Sequence, residues 1–107
     1  MINIQKMMQQ AQQMQFKLQE MQEKFKDIDV EGDAGGGLVK ITMSCAGVMK
    51  SLKMDPSLFT QDGQEMIEDL VIAAHNNVME AKDARIKDET GRMMEDLGLP
   101  KDAKLPF

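Results

Sequence analysis

Eight side chains carry most of what this sequence could offer an anion: Lys6, Gln10, Gln13, Lys17 and Lys24 near the start, and Lys82, Arg85 and Arg92 in the last third. Lys17 and Lys24 are seven residues apart with Gln10 one heptad earlier, so on a helix the three share a flank. Ammonium groups neutralise phosphate charge, and neutral amides bond sugar and phosphate oxygens. Such a flank is therefore a candidate contact for a nucleic-acid backbone. Taken alone, a flank with two lysines is more often a solvated face. Lys82, Arg85 and Arg92 fall near one another on a helix surface with Glu89 between them, which reads either as a contact patch or as a salt-bridged surface.

The groups that usually carry catalysis are not assembled. His75 has no Cys or His at metal-ligand spacing. Cys45 alternates with apolar strand residues and has no His or basic neighbour in sequence to lower its pKa, so it reads as a small hydrophobe. Gly35, Gly36 and Gly37 precede a strand and no Lys-Ser or Lys-Thr pair follows, which makes them a turn, not a phosphate loop. Glu68 and Asp69 are adjacent and diverge around a helix. The expectation is a protein that is not an enzyme, with no cofactor, no metal and no small-molecule substrate.

Three kinds of element must position the charged groups. Ile4, Met7, Ala11, Met14, Leu18, Met21, Phe25 and Ile28 recur at spacings of three and four, a heptad seam that no Gly or Pro interrupts. A helix through about residue 26 would be ~39 Å long. Within 38–45, Val39, Ile41, Met43 and Cys45 alternate with Lys40, Thr42 and Ser44, the pattern of a half-buried strand. Ile28 and Val30 begin an earlier strand, the run from Gly32 to Gly37 supplies a flexible turn, and Val48, Leu52 and Met54 share one face of a third strand that Lys50 interrupts. A meander of this size measures only about 25 by 15 Å. The first helix outruns it, so the outer part of the seam must meet another helix.

After a turn at Asp55, Pro56, Ser57 and Leu58, a second long helix is expected from Asp62 or Gly63, with Met66, Ile67, Leu70, Val71, Ala74, Val78 and Ala81 as its apolar stripe. Beyond Ala81 the stripe fades into charge pairs, which predicts a segment projecting into water, with Gly91 as a place to end or fray. The reading is an α+β chain in one domain: helix 1–27, three-stranded antiparallel meander 28–54, turn 55–61, helix and arm 62–96, tail 97–107. Core and self-association surfaces are expected at Met14, Leu18, Met21, Val39, Ile41, Met43, Leu70 and Ala74.

Composition narrows the class further. The chain has 107 residues with twelve Met, four Phe and no Trp or Tyr, so its apolar surfaces are flexible and adaptable. A single Cys excludes an internal disulfide. No apolar run approaches the ~20 residues of a membrane span and no leader is evident, so a soluble cytosolic protein is expected. The net charge of -5 opposes nonspecific attraction to nucleic acid, yet residues 1–26 carry four Lys against two Glu, a local surplus of +2.

The element order, together with Gly37-Leu38-Val39-Lys40-Ile41, Asp55-Pro56-Ser57-Leu58, Glu65-Met66-Ile67-Glu68-Asp69-Leu70-Val71, the pair Ala73 and Ala74, and Asn76 and Asn77, closely resembles the YbaB/EbfC family of bacterial nucleoid-associated proteins. The Gln- and Met-rich opening and the Leu105-Pro106-Phe107 ending are similar too. The resemblance implies a homodimer in the nucleoid whose long helices project like tweezer arms around double-stranded DNA, with little or modest sequence preference and a role in nucleoid organisation or gene regulation. Lys6, Lys17, Lys24, Lys82, Arg85 and Arg92 then become phosphate contacts, positions that come from charge and not from a family motif. The alternative is a protein–protein interaction module built on the heptad helix, with no direct DNA role.

Overall fold

The computed structural model describes residues 3–98. Its elements are α1 (Ile4–Phe25), β1 (Asp29–Ala34), β2 (Val39–Ser44), β3 (Met49–Met54), a 3-10 turn (Pro56–Leu58) and α2 (Gln64–Asp96). The three strands form one antiparallel sheet in chain order, and with the two helices they make an α+β fold. Residues 99–107 of the tail, with its Leu105-Pro106-Phe107 ending, lie outside the described residues, while Leu97 and Gly98 close α2.

Each element has a local cause. The Asn3 side chain accepts from the Lys6 amide at 3.3 Å and caps α1. Ala34 pairs with Val39, and the turn between them uses Gly35, Gly36 and Gly37 at φ of 64°, 67° and 97°, a left-handed run that only glycine adopts cheaply. Asp55 Oδ1 accepts from the Ser57 amide at 2.9 Å, which starts the 3-10 turn, and hydrogen bonds from the Ser57 side chain and then its amide hold the Asp55 carboxyl below its ordinary range.

Two details depart from the alternation read in the sequence. Gly32, expected in the turn, is a residue of β1 opposite Ile41. It sits there because α2 crosses directly above it: a Cβ at Gly32 would fall on the backbone of Val78. The register of β2 with β3 slips between Thr42 and Met43, so Met43 faces Met49 and Lys50 is the extra residue. This bulge takes Lys50 out of the alternation and lets its ammonium reach Asp29 at 2.7 Å and the Lys26 carbonyl at 3.3 Å.

Two apolar clusters divide the molecule. In the first, Ala34, Val39, Ile41 and Met43 pack beneath Ala74 and Val78 of α2, joined by Leu58 and by half-buried Leu70. Asn77 anchors the same helix by donating to the Asp33 carbonyl at 2.8 Å. The second cluster joins Met21 and Phe25 of α1 to Cys45 and to Met93 and Met94 of α2, with Met14, Leu18, Ile86 and Leu97 against it.

The second cluster corrects the expectation for residues beyond Ala81. That segment does not stand alone in water, and Gly91 does not end the helix, which continues to Asp96. Ile86, Thr90, Met93 and Leu97 follow one another at heptad spacing and give α1 a helical partner within its own chain. The result is a rod: the molecule measures 74 × 21 × 17 Å with a radius of gyration of 19.5 Å, against about 13 Å for a compact chain of similar length.

Candidate nucleic-acid interface

The arm consists of α1 laid antiparallel along the distal part of α2. Leu18 and Met21 face the last turns of α2, Phe25 lies nearest the sheet, and Thr90 donates to the Met21 sulfur at 3.7 Å. Among the described residues the outer end of the α1 seam has no such cover, and Ile4 and Met7 are exposed.

Most of the cations proposed from sequence stand on this arm, but they are not free. Lys24 Nζ lies 3.1 Å from Glu89 Oε2 and Arg85 Nε lies 3.1 Å from Glu89 Oε1. Arg92 reaches Asp88 at 3.3 Å and Glu89 at 4.0 Å. Glu89 is nearly buried, with its side chain 7% exposed, while those of Lys24, Arg85 and Arg92 are 61%, 45% and 67% exposed. The hydrogen bonds from Lys24 and then Arg85 hold the Glu89 carboxyl below its ordinary range, outweighing the opposing effect of burial.

The other candidates are dispersed. Lys17 pairs with Glu20 at 3.7 Å, and Lys82, whose side chain is largely covered, pairs with Asp83 at 3.4 Å. Lys6 is exposed and makes no ion pair among the described residues, but it lies ~27 Å along the helix from Lys24. Gln10 and Gln13 are exposed beside a shallow groove that also touches Met14 and Leu97. A second groove, between α1 and α2, is lined by Lys17, Lys24 and Arg92 but equally by Glu20, Glu89 and Asp96. The cations meet there, though not in excess.

Among the residues expected in the core, Met21, Val39, Ile41, Met43 and Ala74 are buried, and Met14, Leu18 and Leu70 are half-buried. The reading missed Glu89 as an organising residue. Its signal was present, because Glu89 is four residues after Arg85 and three before Arg92. What the spacing could not reveal is Lys24 arriving from the other helix.

A further surface lies over β3. Leu52 faces Ile41 and Met49 faces Met43, so both point to the side that α2 covers. α2, however, packs over β1 and β2, and it leaves Met49 43% and Leu52 42% exposed beside Val48. Cys45 is buried where the sheet meets the arm; burial pushes its thiol up, with Arg85 a smaller opposing influence. No group of acidic, His or Cys residues able to hold a metal occurs among the described residues, and none of their helices is long and apolar enough to cross a membrane.

A nucleoid-associated protein of Agrobacterium fabrum is 39% identical over 107 residues, covering 100% of both chains. One of Bordetella avium is 46% identical over 101 residues, covering 94% of this chain and 93% of that protein. The fold is matched by the crystal structure of an uncharacterized protein from Helicobacter pylori, with a TM-score of 0.75 at 22% identity over 88% of this chain and 99% of that one. The model of the YbaB/EbfC DNA-binding family matches residues 1–97, and the chain belongs to that family.

Proposed function

We propose that this protein binds double-stranded DNA in the bacterial nucleoid, as a homodimer and mainly through the phosphate backbone. The observation that carries the reading is the arm, where the side chains of Lys24, Arg85 and Arg92 reach solvent on a helix pair that extends beyond the sheet. Their cations neutralise phosphates while Gln10 and Gln13 bond sugar and phosphate oxygens. Any sequence preference comes from DNA shape and from the spacing of two arms. The family description and the nucleoid-associated relatives support DNA as the partner.

The open half of the sheet supports the dimer. A second copy laid over β3 would cover Met49, Leu52 and Val48 and remove an edge strand from solvent. Such a dimer carries a formal charge near -10, twice that of one chain, which opposes association with DNA, so its affinity is expected to be weak. Each neutralised phosphate contributes about -0.9 to the slope of log K against log salt.

A mobility shift with random-sequence duplex at low and moderate salt, measured beside the mass in solution, tests the reading. Binding at low salt that weakens with added salt is expected. A soluble dimer that leaves the duplex unshifted at low salt overturns it.

The exposed Ile4 and Met7, continuing the seam past its cover, favour a second reading in which the arm tip grips a protein partner and DNA is incidental. Polar substitutions at Met14 or Leu18 do not separate the two, because both residues pack against α2. Ile4→Ser with Met7→Ser does. The interaction module loses function in that variant and keeps it when Lys17 and Arg92, whose side chains are exposed and do not hold the two helices together, become Gln, whereas DNA binding shows the reverse.

A further inference from the structure

Three cations on the arm share one nearly buried carboxylate, Glu89, while their own side chains are 45–67% exposed. A carboxylate and a phosphate oxygen are the same kind of acceptor for ammonium and guanidinium groups. We propose that Glu89 is an internal competitor for the DNA phosphates, an autoinhibitory contact that holds Lys24 and Arg85 against the arm and lowers its affinity for the duplex. The inference rests on the DNA-binding reading and adds its regulation.

The geometry makes the competition one-sided. Glu89 is held in the seam between α1 and α2, whereas Lys24 and Arg85 are exposed cations whose pairing is weakly held against solvent. A phosphate approaching from outside draws on the same Lys24 ammonium that clips α1 to α2. Phosphate binding and arm closure are therefore linked, and the linkage is reciprocal: whatever tightens the helix pair weakens the grip on DNA. Cys45, buried among the residues that join the two helices, is the built-in reporter of that closure.

The test uses the full chain and random-sequence duplex from about 50 to 200 mM salt, the range over which phosphate contacts dominate affinity. Glu89→Gln is expected to bind about five- to tenfold tighter than the wild type, with a salt slope steeper by about 0.9 for each cation released. Glu80→Gln removes the same charge from an exposed position on α2 that makes no ion pair among the described residues, so it controls for net charge. Glu89→Asp keeps the charge and withdraws the carboxylate by one methylene; it is expected to bind more tightly than the wild type, and it decides the matter if Glu89→Gln does not fold. Saturating duplex is expected to speed labelling of Cys45 in the wild type.

Glu89→Gln binding no tighter than Glu80→Gln, or Glu89→Asp binding no tighter than the wild type, overturns the autoinhibition and leaves the DNA reading standing. Cys45 labelling unchanged or slowed by duplex also overturns it. A wild-type protein that does not bind the duplex overturns both.

Discussion

Lys24 and Glu89, 65 residues apart in the chain, meet at 3.1 Å across the two helices of the arm. Because Arg85 and Arg92 reach the same carboxylate from α2, this contact ties α1 to two further cations. The same bond positions the arm and sets how its charges face solvent.

Acid is expected to loosen the arm through Glu89. Its folded pKa lies below the ordinary 4.5, so folding favours the charged form, and the contribution is present in full above about pH 4.5 and lost as the pH falls through the depressed folded value. Melting curves between pH 7 and 3 check this. The gap between the wild type and Glu89→Gln should be constant at neutral pH and shrink only in the acid range.

Gly32→Ala should destabilise the protein by roughly 2–3 kcal/mol, since its methyl must displace the Val78 backbone from the sheet. Gly36→Ala provides the contrast. Its Cβ meets nothing, and it should cost only about 1–2 kcal/mol for the left-handed backbone at φ 67°. Denaturant titration of the two variants separates crowding from backbone conformation.

Cys45 should react slowly with a disulfide reagent in the folded protein, because its thiol is buried and burial raises its pKa. Met94→Ala removes a neighbour from the same cluster and should cost about 2–5 kcal/mol. At about 1.4 kcal/mol per factor of ten, that accelerates labelling by tenfold or more if the cluster opens as a unit. Labelling kinetics at neutral pH, with an equal rate in both proteins as the contrary result, decide this.

Leu52→Glu should leave a folded chain near 12.0 kDa, where the proposed wild-type dimer would run at twice that mass. Leu52 is exposed in one copy, so the charge costs little there, but it would be desolvated beneath a second sheet. Light scattering with a circular-dichroism control makes the measurement. A variant of unchanged mass places the interface elsewhere.

Much of this architecture was legible because it repeats at short range. Val39, Ile41 and Met43 alternate and are buried, and Ile4 to Phe25 follow an unbroken heptad pattern and form a helix. The distal part of α2 was harder to read. Its seam residues are Ile86, Thr90, Met93 and Leu97, with Glu89 beside them, and a stripe that includes a threonine and borders a glutamate looks like a solvated face. Gly32 reads as a turn residue for a related reason, since its neighbours Asp33 and Gly35 are turn formers and nothing local announces the helix that passes overhead.

The sequence by itself determined the element types, their order and the positions of the cations, because periodicity, turn chemistry and charge are properties of neighbouring residues. Only the tertiary structure decided that α1 closes on the end of its own α2, that Lys24, Arg85 and Arg92 share Glu89, and that β3 is left partly bare. Those outcomes depend on which surfaces meet after chain reversal. An ion pair between residues 65 positions apart has no signature in local spacing.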